Sequence, residues 1–257
     1  MVRVIMALRI LLLPLLAALA VPVAAAPGYV LGPDDAIQVV VYNQPEAGVT
    51  TRIKSDGTII LPLVGAIQAS GQTNISLAAL IAKKFTDGGF FKDPIVNVEI
   101  GAYVSKRVNV AGRVANPAVY PLDREYRALE MLLKAGWVRD NGASYVFLRR
   151  ADGREVRLEA EQLVRGSADK DPVLAAGDTL YVPDADTFFI YGQIARPGAL
   201  PILPGMTIRQ ALALAGGVTA TGSDRKISLY RGGKEINVGP DDAVQKNDVV
   251  MIKERLF

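Results

Sequence analysis

The 257-residue sequence predicts an α+β fold: three small α/β sandwich-like units in tandem, the last two being duplicates of one another. Two observations predict it. The phrase VAGRVANPAVYPL at 110–122 returns as IYGQIARPGALPI at 190–202. Around and before these phrases, strand-type alternation, tight turns and single amphipathic helices follow one another in a similar order three times.

The chain opens with a segment that is not part of the fold. Arg3 and Arg9 precede an apolar run from Ile10 to Val23, and Ala24-Ala25-Ala26 supplies the small residues of a cleavage site. Residues 1–26 are therefore expected to be a secretory signal peptide, cut after Ala25 or Ala26. The run falls short of the roughly 20 residues of a spanning helix, and Pro14 and Pro22 interrupt it. The first unit is expected over 27–104. YVLGPDDAIQVVVYN (29–43) is a turn leading into an alternating strand, and KSDGTIILPLVG (54–65) reads as a hairpin around Asp56-Gly57. TNISLAALIAKKFT (73–86) is an amphipathic helix capped by Thr73 or Asn74, and DPIVNVEIGAYV (93–104) is a strand opened by proline.

The second and third units are expected over 105–185 and 186–257. Residues 108–138 align with 188–218 without gaps, pairing Gly112 with Gly192, Pro117 with Pro197, Leu132 with Leu212 and Ala135-Gly136 with Ala215-Gly216. GREVRL (153–158) answers GKEINV (233–238), and VLAAGDTLYVPD (173–184) answers AVQKNDVVMIKE (243–254), ten residues having been lost from the second copy's connection. A repeat of about 80 residues is a duplicated domain rather than a solenoid. Each copy reads ββ-α-ββ. A strand ends at Gly112 or Gly192, Asn116-Pro117 or Arg196-Pro197 turns the chain, and a helix follows the second strand. Leu129, Leu132 and Leu133 give the first helix its apolar face, and Thr207 with Gln210 forms a capping box on the second. Gly136 and Gly216 stop the helices, and Asp178 marks the turn into the last strand.

Composition narrows the function. Histidine and cysteine are both absent, which excludes the usual zinc sites, Ser-His-Asp triads, Cys-His nucleophiles, disulfides and a thiol-borne lipid anchor. Arg3 and Arg9 account for two of the 29 Lys+Arg, so the rest of the chain sets 27 against 26 Asp+Glu. No basic stripe suggests nucleic acid, and no cofactor motif is present.

Taken together, YVLGPDDAIQVVVYNQPE, SDGTIILPLVGAIQASGQT and DPIVNVEI, followed by two copies of the GxxxxPG-type phrase, resemble the outer-membrane polysaccharide export proteins over residues 28–257. That resemblance implies a polysaccharide export domain followed by two soluble-ligand-binding β-grasp domains. It implies a homo-oligomeric ring that passes a polysaccharide out of the cell, working with an inner-membrane polysaccharide copolymerase of the tyrosine-kinase type. The family motif places Gly32, Asp35, Asp56, Gly57, Pro62 and Gly65 at structural turns of the first unit. Gly112 and Pro117, with Gly192 and Pro197, take that role in the two copies. Asp34 stands where the family carries glycine, and the sequence ends soon after its last strand without the family's amphipathic helix. The expectation is thus docking onto a separate outer-membrane β-barrel.

Other residues admit a functional reading beside a structural one. Asp34-Asp35 and Asp241-Asp242 are paired carboxylates, but both lie in strand-entry turns beside Gly and Pro, where Asp bonds local backbone. Trp137, the only tryptophan, suits core packing, a subunit contact or stacking on a sugar. Tyr103, Lys106 and Arg107 sit between the first two units and suit a pore lining or a solvated strand face. Arg149-Arg150 offers little attraction for an acidic glycan in so nearly neutral a chain. The sequence thus reads as a non-enzymatic export conduit, with a monomeric periplasmic glycan-binding adaptor as the alternative. A glycan hydrolase would need two acids about 5–10 Å apart in a cleft, and no sequence feature places them.

Overall fold

The structure, a computed structural model, describes residues 28–255, and the expected signal peptide lies outside them. In the first unit, strand β1 (Ala36–Val41) buries every second residue, Ile37, Val39 and Val41. It forms the centre of an antiparallel sheet between β2 (Val49–Arg52) and β5 (Val96–Ala102). A separate hairpin pairs β3 (Thr58–Leu61) with β4 (Gly65–Gln68). Helix α1 (Asn74–Asp87) is capped by Thr73, whose side chain accepts from the Ser76 N–H while the Ser76 hydroxyl accepts from the Thr73 N–H. Leu77, Ile81 and Phe85, one turn apart, are fully buried in the core formed with Ile37, Val39, Ile59, Leu61 and Val98. Each such side chain contributes about 1.5–3 kcal/mol on leaving water.

The hairpin differs from its sequence reading. Asp56-Gly57 does not join its two strands. The Asp56 carboxylate accepts from the N–H and hydroxyl of Thr58, and Gly57 N–H donates to Lys54 O, so the turn stays local and launches β3. The apolar alternation runs on to Leu61, and the chain reverses only at Pro62-Leu63-Val64, with Leu63 in left-handed backbone at φ +67° and Gly65 opening β4.

The two repeats share one topology. In the first, β6 (Arg107–Gly112), β7 (Ala118–Pro121), β8 (Tyr145–Arg149), β9 (Glu155–Glu159) and β10 (Thr179–Val182) lie in the order β7-β6-β10-β8-β9, with β6 and β10 parallel. Helix α2 (Ala128–Lys134) follows β7, and a short helix α3 (Ala160–Arg165) follows β9. In the second, β11 (Thr187–Gly192), β12 (Gly198–Pro201), β13 (Gly222–Arg231), β14 (Lys234–Ile236) and β15 (Val249–Glu254) take the order β12-β11-β15-β13-β14, again with one parallel pair. Helix α4 (Ile208–Leu214) carries the Thr207–Gln210 capping box. The mixed sheet with helices is the α+β architecture expected, but each copy holds five strands rather than four. The added strand arises because the turn at Asp152-Gly153, like that at Gly232-Gly233, folds GREVRL or GKEINV back onto the preceding strand.

A second correction concerns α2. Leu133 is 59% exposed, and the buried positions are Ala128, Met131, Leu132 and Ala135. That i, i+3, i+4, i+7 stripe leaves Leu133 about 100° off the core-facing side. Three separate clusters of buried residues result, one per unit.

Candidate functional site

Three buried aspartates recur at the same place in the three units. Asp35, Asp178 and Asp248 are each no more than 1% exposed and each opens a strand. The residue before each has left-handed backbone: Asp34 at φ +71°, Gly177 at +86° and Asn247 at +62°. This twist aims each carboxylate back at the main-chain N–H three residues earlier, of Gly32, Ala175 and Gln245 respectively, at 2.8–2.9 Å. The side chain at Asp34, where the family has glycine, stays exposed and fits the turn. The remaining capacity is used differently in each unit. Asp178 meets Arg150 Nη1 at 2.7 Å through one oxygen, whereas Asp248 takes a two-pronged contact from Arg231 at 2.7 and 2.8 Å.

Asp35 clasps the exit of the first unit. Its Oδ1 accepts from Val104 N–H (2.7 Å) and Ser105 N–H (2.8 Å), its Oδ2 from Ser105 Oγ (2.8 Å), and both oxygens lie within 3.1 Å of the Tyr29 hydroxyl. Burial pushes the carboxyl up, but the N–H groups of Ser105, Gly32 and Val104 outweigh it and hold Asp35 below the ordinary carboxylate range. Burial likewise lifts the Tyr29 phenol to about 12, with Asp35 adding to it and Ser105 opposing. Gly32 is required by the same clasp, because a Cβ there would sit 2.5 Å from Ser105 Oγ. Tyr103 stacks edge-on against Tyr29 (4.8 Å, 88°), and Lys106 Nζ lies 5.2 Å from the centre of that ring. Arg107, the first residue of β6, is exposed and uses its carbonyl to accept from Gly177 N–H. Of the four residues singled out as pore or glycan contacts, the structure thus gathers Tyr103 and Lys106 at this clasp, with Arg107 next in the chain. Asp241 and Asp242 face outward, one on Arg209 and the other on Gly239 N–H.

The repeated phrase has a structural purpose. Gly112 and Gly192 have φ +87° and +92°, and a Cβ on either would meet Val182 O or Ile252 O at 2.0 or 2.3 Å. The following loops, turned by Pro117 and Pro197, clamp the end of the helix. Ala115 and Asn116 N–H donate to Trp137 O and Ala135 O, and Ala195 and Arg196 N–H donate to Gly217 O and Ala215 O.

Trp137 lies elsewhere, on a cavity of 560 Å³ between the two repeats whose wall includes Tyr145, Arg157, Asp186 and Leu203. It is half-buried against the core of the first repeat. Its backbone closes a Schellman motif: Gly136 N–H donates to Leu133 O, and Trp137 N–H to Leu132 O. The same pair of bonds ends α4 through Gly216 and Gly217. Beyond the left-handed Gly136 and Gly216 that the motif uses, Trp137 itself holds φ +67° where the second repeat has Gly217 at +80°, a strain on the order of 1–2 kcal/mol for a side-chain-bearing residue. Arg157 stacks over the Tyr145 ring at 3.7 Å, and the Tyr145 hydroxyl reaches both oxygens of Asp186 at 3.3 Å. Burial, then the Asp186 charge, raise the Tyr145 phenol above its ordinary value. Sequence reasoning does not single out Tyr29, Ser105, Tyr145, Arg157 or Asp186. Only Tyr29 has a local signal, as the first residue of YVLGPDD.

Comparison with known sequences assigns these units. Residues 23–101 match the polysaccharide biosynthesis/export protein family, and residues 107–159 and 187–239 each match the SLBB domain. Over 241 residues the chain is 28% identical to the EPS I polysaccharide export outer membrane protein EpsA of Ralstonia nicotianae, covering 81% of this chain and 62% of that protein. The EpsA of Ralstonia solanacearum gives 28% over 238 residues, with 81% and 63% covered. The polysialic acid transport protein KpsD of Escherichia coli gives 29% over 178 residues, with 65% and 30% covered. The chain thus spans less than two thirds of the length of the curated relatives it matches. With an export unit followed by two SLBB units, and relatives of that description along most of its length, the chain belongs to the outer-membrane polysaccharide export protein family.

Proposed function

We propose that this protein is a periplasmic component of an exopolysaccharide or capsule export machinery, associated with the outer membrane and assembling into a closed homo-oligomer around the polymer's path. The observation that carries this reading is the ordered set of one export unit and two SLBB units, shared with relatives named for polysaccharide export. The sheet pattern supports it. β2, β7, β9, β12 and β14 are edge strands of their sheets, and a chain with such edges on successive units has the means for lateral, head-to-tail association. Passage of a polymer calls for many weak contacts and no turnover, so the role is non-enzymatic. An inner-membrane copolymerase of the tyrosine-kinase type and a separate outer-membrane β-barrel complete the proposed path.

Deleting the gene and assaying surface polysaccharide tests the reading: loss is expected, and unchanged surface glycan overturns it. Native mass measurement of the purified protein separates a closed high-order species, as proposed, from a monomeric glycan-binding adaptor. Conductance by the protein alone in a lipid bilayer would remove the need for the barrel.

A further inference from the structure

The cavity between the two repeats carries a site, and we infer that it binds a pyranose ring from an uncharged stretch of polysaccharide, stacked on Trp137. The inference rests on the export reading for its ligand class, and on the cavity itself for its location.

Three observations converge on it. The cavity, at 560 Å³, has room for a sugar ring. Its wall combines the Trp137 indole with the Arg157–Tyr145 stack and the Asp186 carboxylate, giving an aromatic face beside a donor and an acceptor that ring hydroxyls can bridge. Its charges balance: Arg139 and Arg157 stand against Asp140 and Asp186 in the wall, and Arg157 pairs with Glu159 at 2.7 Å and Asp186 with Lys246 at 2.9 Å. That balance suits a hydroxyl-rich neutral ring better than an acidic one.

The duplication separates this wall from the scaffold. Trp137 corresponds to Gly217, which makes the same helix-ending bonds with no side chain. Tyr145, three residues before Leu148, corresponds to Lys226, three before Leu229, since Leu148 pairs with Leu180 as Leu229 pairs with Val250. Arg157, two residues after Glu155, corresponds to Asn237, two after Glu235. Asn237 is polar too, but it is shorter, and Lys226, the counterpart of Tyr145, offers no ring of the kind Arg157 covers. The two aromatic rings and the guanidinium stacked on one of them thus belong to the first repeat alone. At Trp137 the ring is held in a backbone conformation that glycine adopts freely.

Trp137 is the protein's only tryptophan, so indole emission reports the site directly. The purified protein is titrated with cellohexaose as a neutral probe and hexagalacturonate as an acidic one. A saturable change in emission with cellohexaose, half-complete on the order of 1 mM, and a response to hexagalacturonate at least tenfold weaker, are expected. By calorimetry, Trp137→Gly should weaken cellohexaose binding at least tenfold while moving the melting temperature by only a few degrees, because relief of the left-handed backbone strain offsets the lost packing of a half-buried ring. The exposed Arg157→Ala should weaken it severalfold and leave folding intact, which keeps the test decisive if Trp137→Gly unfolds. No response to either probe, or full binding by both variants, overturns the site, and preference for the acidic probe overturns the ligand class. The export reading fails separately. If the deletion strain loses its surface glycan and Trp137→Gly restores it fully, the site is dispensable and export stands; if deletion changes nothing, export falls whatever the titration gives.

Discussion

Replacing Asp35 by alanine should unfold the first unit selectively. The substitution removes the acceptor of three main-chain N–H groups, that of Gly32, which is buried, and those of Val104 and Ser105, which are part-buried. The Tyr29 and Ser105 hydroxyls lose little, because they already lie 2.9 Å apart and can bond each other. A buried N–H left without a partner costs about 1–3 kcal/mol. With some water entering the space, three of them give about 3–5 kcal/mol, against roughly 4–10 kcal/mol of total stability for a unit of this size. For such a unit each kcal/mol moves the melting temperature by about 4–8 °C, so a fall on the order of 15–30 °C is expected. Asp35→Asn keeps an oxygen for Val104 and Ser105, and its amide can donate to the two hydroxyls. Only Gly32 N–H is orphaned, and the cost drops to about 2 kcal/mol. Scanning calorimetry gives the magnitude and hydrogen exchange gives the place. Protection should collapse in β1, β5 and α1 and persist in β6 to β15, because the three units bury separate cores. A shift under about 3 °C for Asp35→Ala, less than 1 kcal/mol on that scale, or loss spread evenly over all three units, would refute this account of the clasp.

The clasp also sets the pH limits of the first unit. The Asp35 carboxyl is lowered on folding, so its stabilisation is complete above the unfolded value and is lost as pH falls through the folded one; the Tyr29 phenol is raised, so its share holds below pH 10 and is lost between pH 10 and about 12. Melting curves should show that Asp35→Asn blunts the acid limb and Tyr29→Phe the alkaline limb. Gly112→Ala and Gly192→Ala should each cost about 2–4 kcal/mol through clash and left-handed strain, with exchange protection lost in β6 and β10 for the first and in β11 and β15 for the second. Arg231→Ala strands the buried Asp248 charge and should cost about 2 kcal/mol, half the value for a fully buried pair because Arg231 is one-third exposed. Arg124→Ala, which breaks an exposed pair with Glu130, should leave the denaturation midpoint unmoved.

Features with a local code are legible in the sequence. The Thr207–Gln210 box, the glycine stops at 136 and 216 and the gapless offset between the repeats all follow from residues within a few positions of one another. The fifth strand of each repeat escapes notice although Asp152-Gly153 and Gly232-Gly233 announce its turn, because GREVRL buries only Leu158 and looks polar. The Asp35 clasp joins residues about 70 positions apart, and nothing near Asp35 names Ser105 as its partner. Leu133 misleads because α2 is only seven residues long, too short for its apolar stripe to be phased from the leucines alone.

The sign of a backbone angle is harder still to read, since Trp137 gives no hint that it stands in a position suited to glycine. A second copy in the same chain supplies that hint. Residues identical in both repeats each have a constraint that both share: Gly112 and Gly192 against a carbonyl, Ala115 and Ala195 on the helix end, Ala135 and Ala215 in the core. Trp137, Tyr145 and Arg157 have no such shared constraint, yet all three line one cavity. A scaffold duplicated for stacking preserves what folding needs in both copies and is free to specialise elsewhere. Specialisation that gathers on one wall, and retains a strained tryptophan to do so, is better explained by a ligand than by drift.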